Sequence, residues 1–336
     1  MPSRRILFIT RKYPPVRGGM EQYSYDLYRS WSEREDVTLL SNPEGNAALP
    51  RFFLRAVSKV LSEAAAFDLV HLGDGVLAPL IPFVRARSKA RIGITIHGLD
   101  ITYGRYGYQT LFPALVARAD RVVCVSSYTR DACVERGVPA SKTLVIPNGI
   151  DLSRLPVNRT HTRASLSAKY GFELGPNLLF SVGRLVKRKG HSMFVREYMP
   201  RLKSRFVYAI AGDGPDRAAI ESVVSELGLG EHVRLLGGID EEEKAFLLGH
   251  AKGYVMPNVR VPNDPEGFGI SVLEAVAHRL PVFTTGIEGI ADQKRYCYPL
   301  ERLLDEPYPE RSAEEWDTIR ASIDWKRVID AYVRDV

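Results

Sequence analysis

The stretch Leu178-Leu179-Phe180-Ser181-Val182-Gly183-Arg184-Leu185-Val186-Lys187-Arg188-Lys189-Gly190 reads as an apolar strand, a glycine, and a turn carrying four cations in six positions. A helical pattern near 190–203 comes next. Apolar strands and helices continue to alternate downstream. Strands are expected at 177–182, 206–211, 233–235, 253–256 and 282–284, with helices near 190–203, 215–228, 240–250 and 270–279. Continuous apolar strands separated by helices predict a parallel, doubly wound sheet.

The same alternation runs upstream. A strand is expected at 4–10, then the loop 11–19, then a helix over 20–34 with apolar positions 20, 23, 27, 28 and 31. Further strands are expected at 37–40, 69–72, 92–96, 121–125 and 143–146. Turn residues cluster at Pro147-Asn148-Gly149-Ile150-Asp151, ahead of the polar stretch 157–163. The expected division is therefore a first α/β domain over 1–150 and a second over 151–311. A polar helical tail, 312–336, either finishes the second domain or packs back on the first. A length of 336 residues suits two domains of this size.

Net charge is +6 and unevenly placed: residues 1–150 hold 20 Lys/Arg against 13 Asp/Glu, and the rest hold 26 against 27. A basic first half suits nucleic acid, an anionic membrane surface or an anionic substrate. The three cysteines, Cys124, Cys133 and Cys297, are widely spaced and form no CxxC. That argues against a disulfide framework and a zinc site, and for a reduced, cytoplasmic setting. No apolar run approaches the ~18 residues of a membrane span. The longest N-terminal run, Ile6 to Ile9, is too short for a secretory signal.

In an open α/β sheet, ligands bind beyond the carboxyl ends of strands, so the residues just past each strand carry the chemistry. Gly18-Gly19 stands between a strand and a helix. It allows close backbone approach, and a helix N-terminus favours an anion. It is not GxGxxG, so a nicotinamide site is unsupported. Arg184, Lys187, Arg188 and Lys189 form a candidate diphosphate clamp; the strand-end position separates them from an ordinary solvated basic turn. Pro265-Glu266-Gly267-Phe268-Gly269-Ile270-Ser271-Val272-Leu273-Glu274-Ala275 places one carboxylate in a glycine-rich loop and another one to two turns into the next helix. Carboxylates suit vicinal hydroxyls, and the amides of 268–270 are donors at a helix start. Ser271, Glu274 and His278 share a helical face that reads equally as a wet surface. His97 stands just past the strand 92–96 and suits a substrate oxygen, although a lone His is often structural. Asp213, in Gly212-Asp213-Gly214-Pro215-Asp216, reads first as a helix cap. No DxD metal signature is present.

These features in this order resemble glycosyltransferase family 4, retaining enzymes of the GT-B fold that include bacterial mannosyl- and glucosyltransferases. The carriers are Arg17-Gly18-Gly19-Met20, His97-Gly98, residues 147–151, 182–190 and 211–215, Leu236-Gly237, and Glu266-Gly267-Phe268-Gly269 with Glu274. The resemblance implies two Rossmann-like domains facing across a cleft, with acceptor bound in the first and nucleotide sugar in the second. It implies that Gly18 and Gly19 admit the donor diphosphate and that Arg184 and Lys189 neutralise it. Glu266 would hold the transferred sugar beside the amides of Phe268, Gly269 and Ile270. Glu274 would take the ribose diol and the backbone at Gly237 and Ile239 the base, while His97 would stabilise positive charge on the sugar ring through its carbonyl or contact a sugar hydroxyl. Such enzymes need neither metal nor cofactor. The expected activity is transfer of a mannose- or glucose-type hexose from a GDP- or UDP-linked donor to a glycan, lipid-linked or small-molecule acceptor.

A nucleotide-sugar epimerase on the same fold and a non-catalytic nucleotide-sugar-binding protein remain alternatives. A nucleic-acid partner has no motif behind it. The pattern departs from the family after Gly286-Ile287-Glu288-Gly289, and the link 256–264 is longer than usual. Residues 50–66 place Arg51, Arg55 and Lys59 on one helical face, with Phe53, Val57, Val60, Leu61 and Ala64 opposite. Arg85, Arg87, Lys89 and Arg91 add a second basic cluster. Such faces suit peripheral contact with an anionic membrane, at its inner face, as well as ordinary surface helices.

Overall fold

The computed structural model describes residues 3–16, 18–105 and 107–336. Two compact units emerge from its contacts. The first comprises Met1–Asp151, Asn263–Phe268 and Ile323–Val336; the second comprises Leu152–Pro262 and Gly269–Ser322.

The first unit is built on six parallel strands: β1 (Arg5–Thr10), β2 (Asp36–Ser41), β3 (Leu69–Leu72), β4 (Arg91–Ile96), β5 (Arg121–Cys124) and β6 (Thr143–Val145), in the order β2-β1-β3-β4-β5-β6. Its helices are α1 (Gly19–Ser32), α2 (Leu49–Glu63), α3 (Ile81–Arg87), α4 (Leu99–Thr102), α5 (Tyr108–Val116) and α6 (Ser127–Glu135). Ile6 to Ile9 and Ile92 to Ile96 are almost wholly apolar and buried, as strands covered on both faces must be.

The second unit carries β7 (Leu178–Val182), β8 (Val207–Ala211), β9 (Val233–Gly237), β10 (Gly253–Met256), β11 (Val282–Thr284) and β12 (Cys297–Pro299), in the order β12-β11-β10-β7-β8-β9. Counted within the unit, this is the Rossmann order. Its helices are α7 (Arg163–Tyr170), α8 (His191–Glu197), α9 (Met199–Leu202), α10 (Arg217–Glu226), α11 (Glu241–His250), α12 (Ile270–Ala277) and α13 (Ala313–Ile323). A last helix, α14 (Trp325–Asp335), belongs to the first unit.

One tail pattern thus becomes two helices. Asp324 ends the first and caps the second, its carboxylate accepting from the Lys326 amide at 2.9 Å. Ile150 donates to the Ile323 carbonyl at 2.8 Å, and Trp325 donates to the Ile150 carbonyl at 3.1 Å. Trp325, Ile329, Tyr332 and Val336 then complete an apolar cluster with Tyr23, Leu27 and Trp31 of α1 on one face of the first sheet. The opposite face buries Phe52, Ala56 and Val60 of α2 against Leu72, Ile81 and Ile94.

Two expectations change. The buried stripe of α2 is Phe52, Ala56, Val60 and, just beyond it, Ala64. Phe53 and Val57 are half-buried, and Leu61 is exposed. Spacing of four keeps 52, 56, 60 and 64 on one line, which turns 61 outward. Arg51 pairs with Glu44, and Lys59 with Glu63 at 2.5 Å, so part of the basic face is locally neutralised. The sequence pattern also omitted β12. It is a three-residue edge strand on β11, reached through tight turns over Glu288–Tyr296; unlike β6 and β11, its Cys-Tyr-Pro sequence offers no apolar run.

Candidate active site

A topological switch point is where the chain order reverses across a sheet and neighbouring loops part to leave a crevice. In the second unit it lies between β7 and β10. The loop after β7 carries the cations. Arg184 and Lys187 are exposed, and Arg188 and Lys189 are half-buried in a tight turn over Lys187–Lys189. Gly190 closes that turn at φ 69°. A Cβ there would stand 1.9 Å from the Pro257 carbonyl oxygen, so only glycine fits. Val259 donates to the Arg188 carbonyl at 2.9 Å, locking the cation turn to the chain that leaves β10.

The next residue, His191, is fully buried, and its Nδ1 lies 2.9 Å from the Tyr208 hydroxyl. Burial pulls its pKa down to about 3, with Lys189 adding to the shift, so it is neutral. It anchors the start of α8 behind the cation turn, a role the sequence pattern did not suggest.

On the other flank, Gly183 donates to Ala211 at 3.0 Å, Leu185 to the Asp213 carbonyl at 2.9 Å, and Gly212 to Gly237 at 2.6 Å. The ends of β7, β8 and β9 are thereby laced together, and Gly237 and the half-buried Ile239 stand beside them. Asp213 is not the helix cap expected. Its carboxylate accepts from Gly214 at 2.8 Å, and α10 begins only at Arg217. The proline two residues on delays the helix start.

Gly269 is the N-cap of α12, at φ 79°, with Ile270 opening the helix. Glu274 is half-buried, and its Oε1 accepts from Lys244 at 2.8 Å. Burial lowers the Lys244 pKa, but Glu274 and Glu241 outweigh it and hold the ammonium firmly charged. The helical face of 271, 274 and 278 is partly packed: Ser271 is buried, Glu274 and His278 are half-buried, and His278 Nδ1 lies 2.9 Å from the Glu274 carbonyl. Lys244 was missed because it lies 30 residues away, and its i,i+3 pairing with Glu241 looks like any surface ion pair.

Glu266, Gly267 and Phe268 belong by contact to the first unit. Glu266 and Phe268 are buried, at 8% and 6% exposure. The Gly267 carbonyl accepts from Ser126 Oγ at 2.8 Å. A Cβ on Gly267 would stand 1.7 Å from the His97 carbonyl oxygen, so this loop and the end of β4 are in backbone contact. His97, Gly98 and the 266–268 loop are thus brought together.

The first unit's switch point lies between β1 and β3, and Arg11 Nε meets Asp74 Oδ1 across it at 3.0 Å. Gly18 and Gly19 are exposed at the N-terminus of α1, with Glu21 folded beneath them and paired to Lys12 at 3.0 Å. Arg17, the first residue of that motif, lies outside the described residues. The ring of Tyr23 meets His97 edge-on, with centroids 4.7 Å apart. The Tyr23 hydroxyl bonds Thr95 at 3.0 Å and also Tyr332, a fully buried set that sequence reading did not reveal.

Residues 162–296 match the family model described as Glycosyl transferases group 1, and residues 17–154 that of Glycosyltransferase Family 4. The chain is 28% identical over 306 residues to the GDP-mannose-dependent alpha-(1-6)-phosphatidylinositol monomannoside mannosyltransferase of Mycolicibacterium smegmatis, covering 82% of this chain and 79% of that protein. It is 25% identical over 210 residues to the putative colanic acid biosynthesis glycosyltransferase WcaL of Escherichia coli, covering 61% of this chain and 49% of that one. Among solved structures, Anabaena Alr3699/HepE in complex with UDP superposes with a TM-score of 0.76 at 18% identity, covering 99% of this chain and all of that one. Sucrose-phosphate synthase from Thermosynechococcus elongatus gives 0.75 at 18% identity, covering 98% of each. With two Rossmann-like halves and a family model on each, the chain belongs to the GT-B glycosyltransferases, Family 4 in its first half and group 1 in its second.

Proposed function

We propose that this protein is a retaining hexosyltransferase that takes mannose from GDP-mannose and uses neither metal nor cofactor. The observation that carries the reading is the cation turn locked by Gly190 at the switch point of the second sheet. Its backbone is held at the position where an α/β sheet binds nucleotides, which supports the reading of the turn as the diphosphate clamp. The choice of mannose and guanine over glucose and uracil is supported by the mycobacterial relatives, which are GDP-mannose-dependent mannosyltransferases by name.

In this reading Arg184 and Lys189 neutralise the leaving diphosphate, the task a metal performs elsewhere. Glu274, oriented by Lys244, takes the ribose diol through its second oxygen. The backbone at Gly237 and Ile239 receives the base. Gly18 and Gly19 admit the diphosphate from the first unit. Glu266 holds hydroxyls of the transferred sugar beside the amides of Phe268, Gly269 and Ile270. The His97 carbonyl packs on Gly267, so the imidazole ring is the group assigned to a sugar hydroxyl. The leaving phosphate accepts the acceptor's proton on the face it departs from, which retains configuration. An epimerase would need no acceptor, and a binding protein would show no turnover.

The test is donor hydrolysis across GDP-mannose, GDP-glucose, UDP-glucose and UDP-galactose, each with and without EDTA. GDP-mannose is expected to turn over fastest, with no loss in EDTA. Turnover abolished by EDTA and restored by magnesium overturns the metal-free reading, and a UDP-sugar preference overturns the donor.

We place the protein at the inner face of an anionic membrane, through α2 and α3. Leu54 is 71% exposed beside the exposed Arg55, and Phe83 and Arg87 lie on the helix packed against α2. Each basic residue near such a surface contributes about 1 kcal/mol. Sedimentation with anionic vesicles should show binding that weakens as salt rises. Equal, negligible binding to anionic and neutral vesicles at low salt removes the membrane from the picture. No helix among the described residues is long and apolar enough to span a bilayer.

A further inference from the structure

The residue three places after His97 has no role in the proposed chemistry. Asp100 is 6% exposed and sits in the first turn of α4. Its Oδ1 accepts from the His97 backbone amide at 2.9 Å, and its Oδ2 accepts from the Gly75 amide at 2.9 Å. Gly75 lies in the loop leaving β3. Two residues earlier in that loop, the Gly73 carbonyl stands 3.0 Å from His97 Nε2. One carboxylate therefore ties down both His97's own backbone and the loop that holds its ring.

A carbonyl only accepts, so Nε2 carries a hydrogen; in the neutral form of the ring Nδ1 is then the bare nitrogen. The tautomer offered to a ligand is set by where the Gly73 carbonyl stands. Gly75 leaves little slack in that placement: a Cβ there would lie 3.0 Å from the Asp100 carbonyl and 3.3 Å from its Oδ2. The Tyr23 ring packs edge-on against the same imidazole.

We infer that Asp100 is a positioning residue that holds His97 in its Nε2–H tautomer by clamping the ends of β3 and β4 to one another. The inference rests on the reading of His97 as a sugar-contacting residue. Burying a carboxylate is costly, and burial, with Asp74 adding to it, pushes the Asp100 pKa up against the two backbone amides that hold its charged form. A residue needed only to start a short helix would not require both oxygens on two different loops.

The test combines Asp100→Asn, His97→Ala and the double variant in the full chain, with hydrolysis of GDP-mannose as the activity probe. An Asn keeps the shape but turns an NH2 toward one of the two amides. The Asn variant is expected to lose roughly tenfold or more in kcat with the donor KM within about twofold. In the His97→Ala background the same change should cost nothing further, because Asp100 acts through His97. A full additional loss there, or a raised KM at unchanged kcat, means a structural role alone and overturns the inference.

NMR of 15N-histidine-labelled protein reads the tautomer directly. The His97 Nε2–H signal should be present in wild type and lost or shifted in Asp100→Asn. If His97→Ala keeps wild-type turnover, the sugar role of His97 falls. The clamp is then judged by NMR: an unchanged Nε2–H signal overturns it, and a lost one supports it. Should the Asn variant not fold, Asp100→Ser keeps a hydroxyl toward the His97 amide and is read in the same two ways.

Discussion

Glu266→Gln is expected to cut sugar transfer by about 100-fold, the scale seen when one preorganised group is removed from a transition state. The substitution keeps the volume of a side chain that is 8% exposed, in a loop held by the Ser126–Gly267 hydrogen bond. The loop should therefore stay in place. In the proposed reading the carboxylate meets hydroxyls of the transferred hexose and nothing on the nucleotide. Affinity for GDP should then change by less than about twofold, since no charge-assisted bond to the diphosphate is lost. The result is read as kcat against GDP affinity from calorimetry. Near wild-type turnover in a folded variant removes Glu266 from the sugar site. A parallel loss of GDP affinity would move it to the nucleotide.

The second large effect concerns the cation turn. Removing Arg184 or Lys189 should weaken GDP binding by about 1.5–3 kcal/mol each, the worth of one charge-assisted hydrogen bond. That is roughly 10- to 150-fold in Kd. Lys189 is half-buried and should fall toward the upper end, while the exposed Arg184 is better screened and should fall toward the lower. Lys187, exposed on the same turn, is the control: its loss should change Kd little if the clamp is specific and as much if only net charge matters. Unchanged GDP affinity in both Arg184→Ala and Lys189→Ala would remove the clamp. In a turn pinned between Gly190 and Pro257, truncating these side chains leaves the backbone route intact, so the readout is binding rather than folding.

The strands, and the residues at their carboxyl ends, are legible in the chain alone. Eleven expected strands lie within one or two residues of β1–β11, because a buried parallel strand is a short apolar run whose signal is local. Hence the cation turn after β7, His97 after β4 and the glycine-rich loop ahead of α12 were visible as candidates from their place after strands. Elements without an apolar run, and long-range partners, were not visible. The edge strand β12 is no shorter than β6 or β11, but it is only half-buried, ends on a proline and has no apolar run to show. The line of α2 that faces the core depends on how the helix rolls against α3 and the sheet, which turns Leu61 outward and Phe52 inward.

The polar contacts that tune the site join residues far apart in the chain. Lys244 reaches Glu274 across 30 positions, and Tyr23 reaches Tyr332 across 309. Asp100 looks like a first-turn acid until the fold brings Gly75 beside it. Periodicity and motif spacing report only what a residue does within its own element. Which hydrogen-bond donor stands opposite a buried carboxylate is decided when separate strands dock, and that docking is a property of the packed sheet alone.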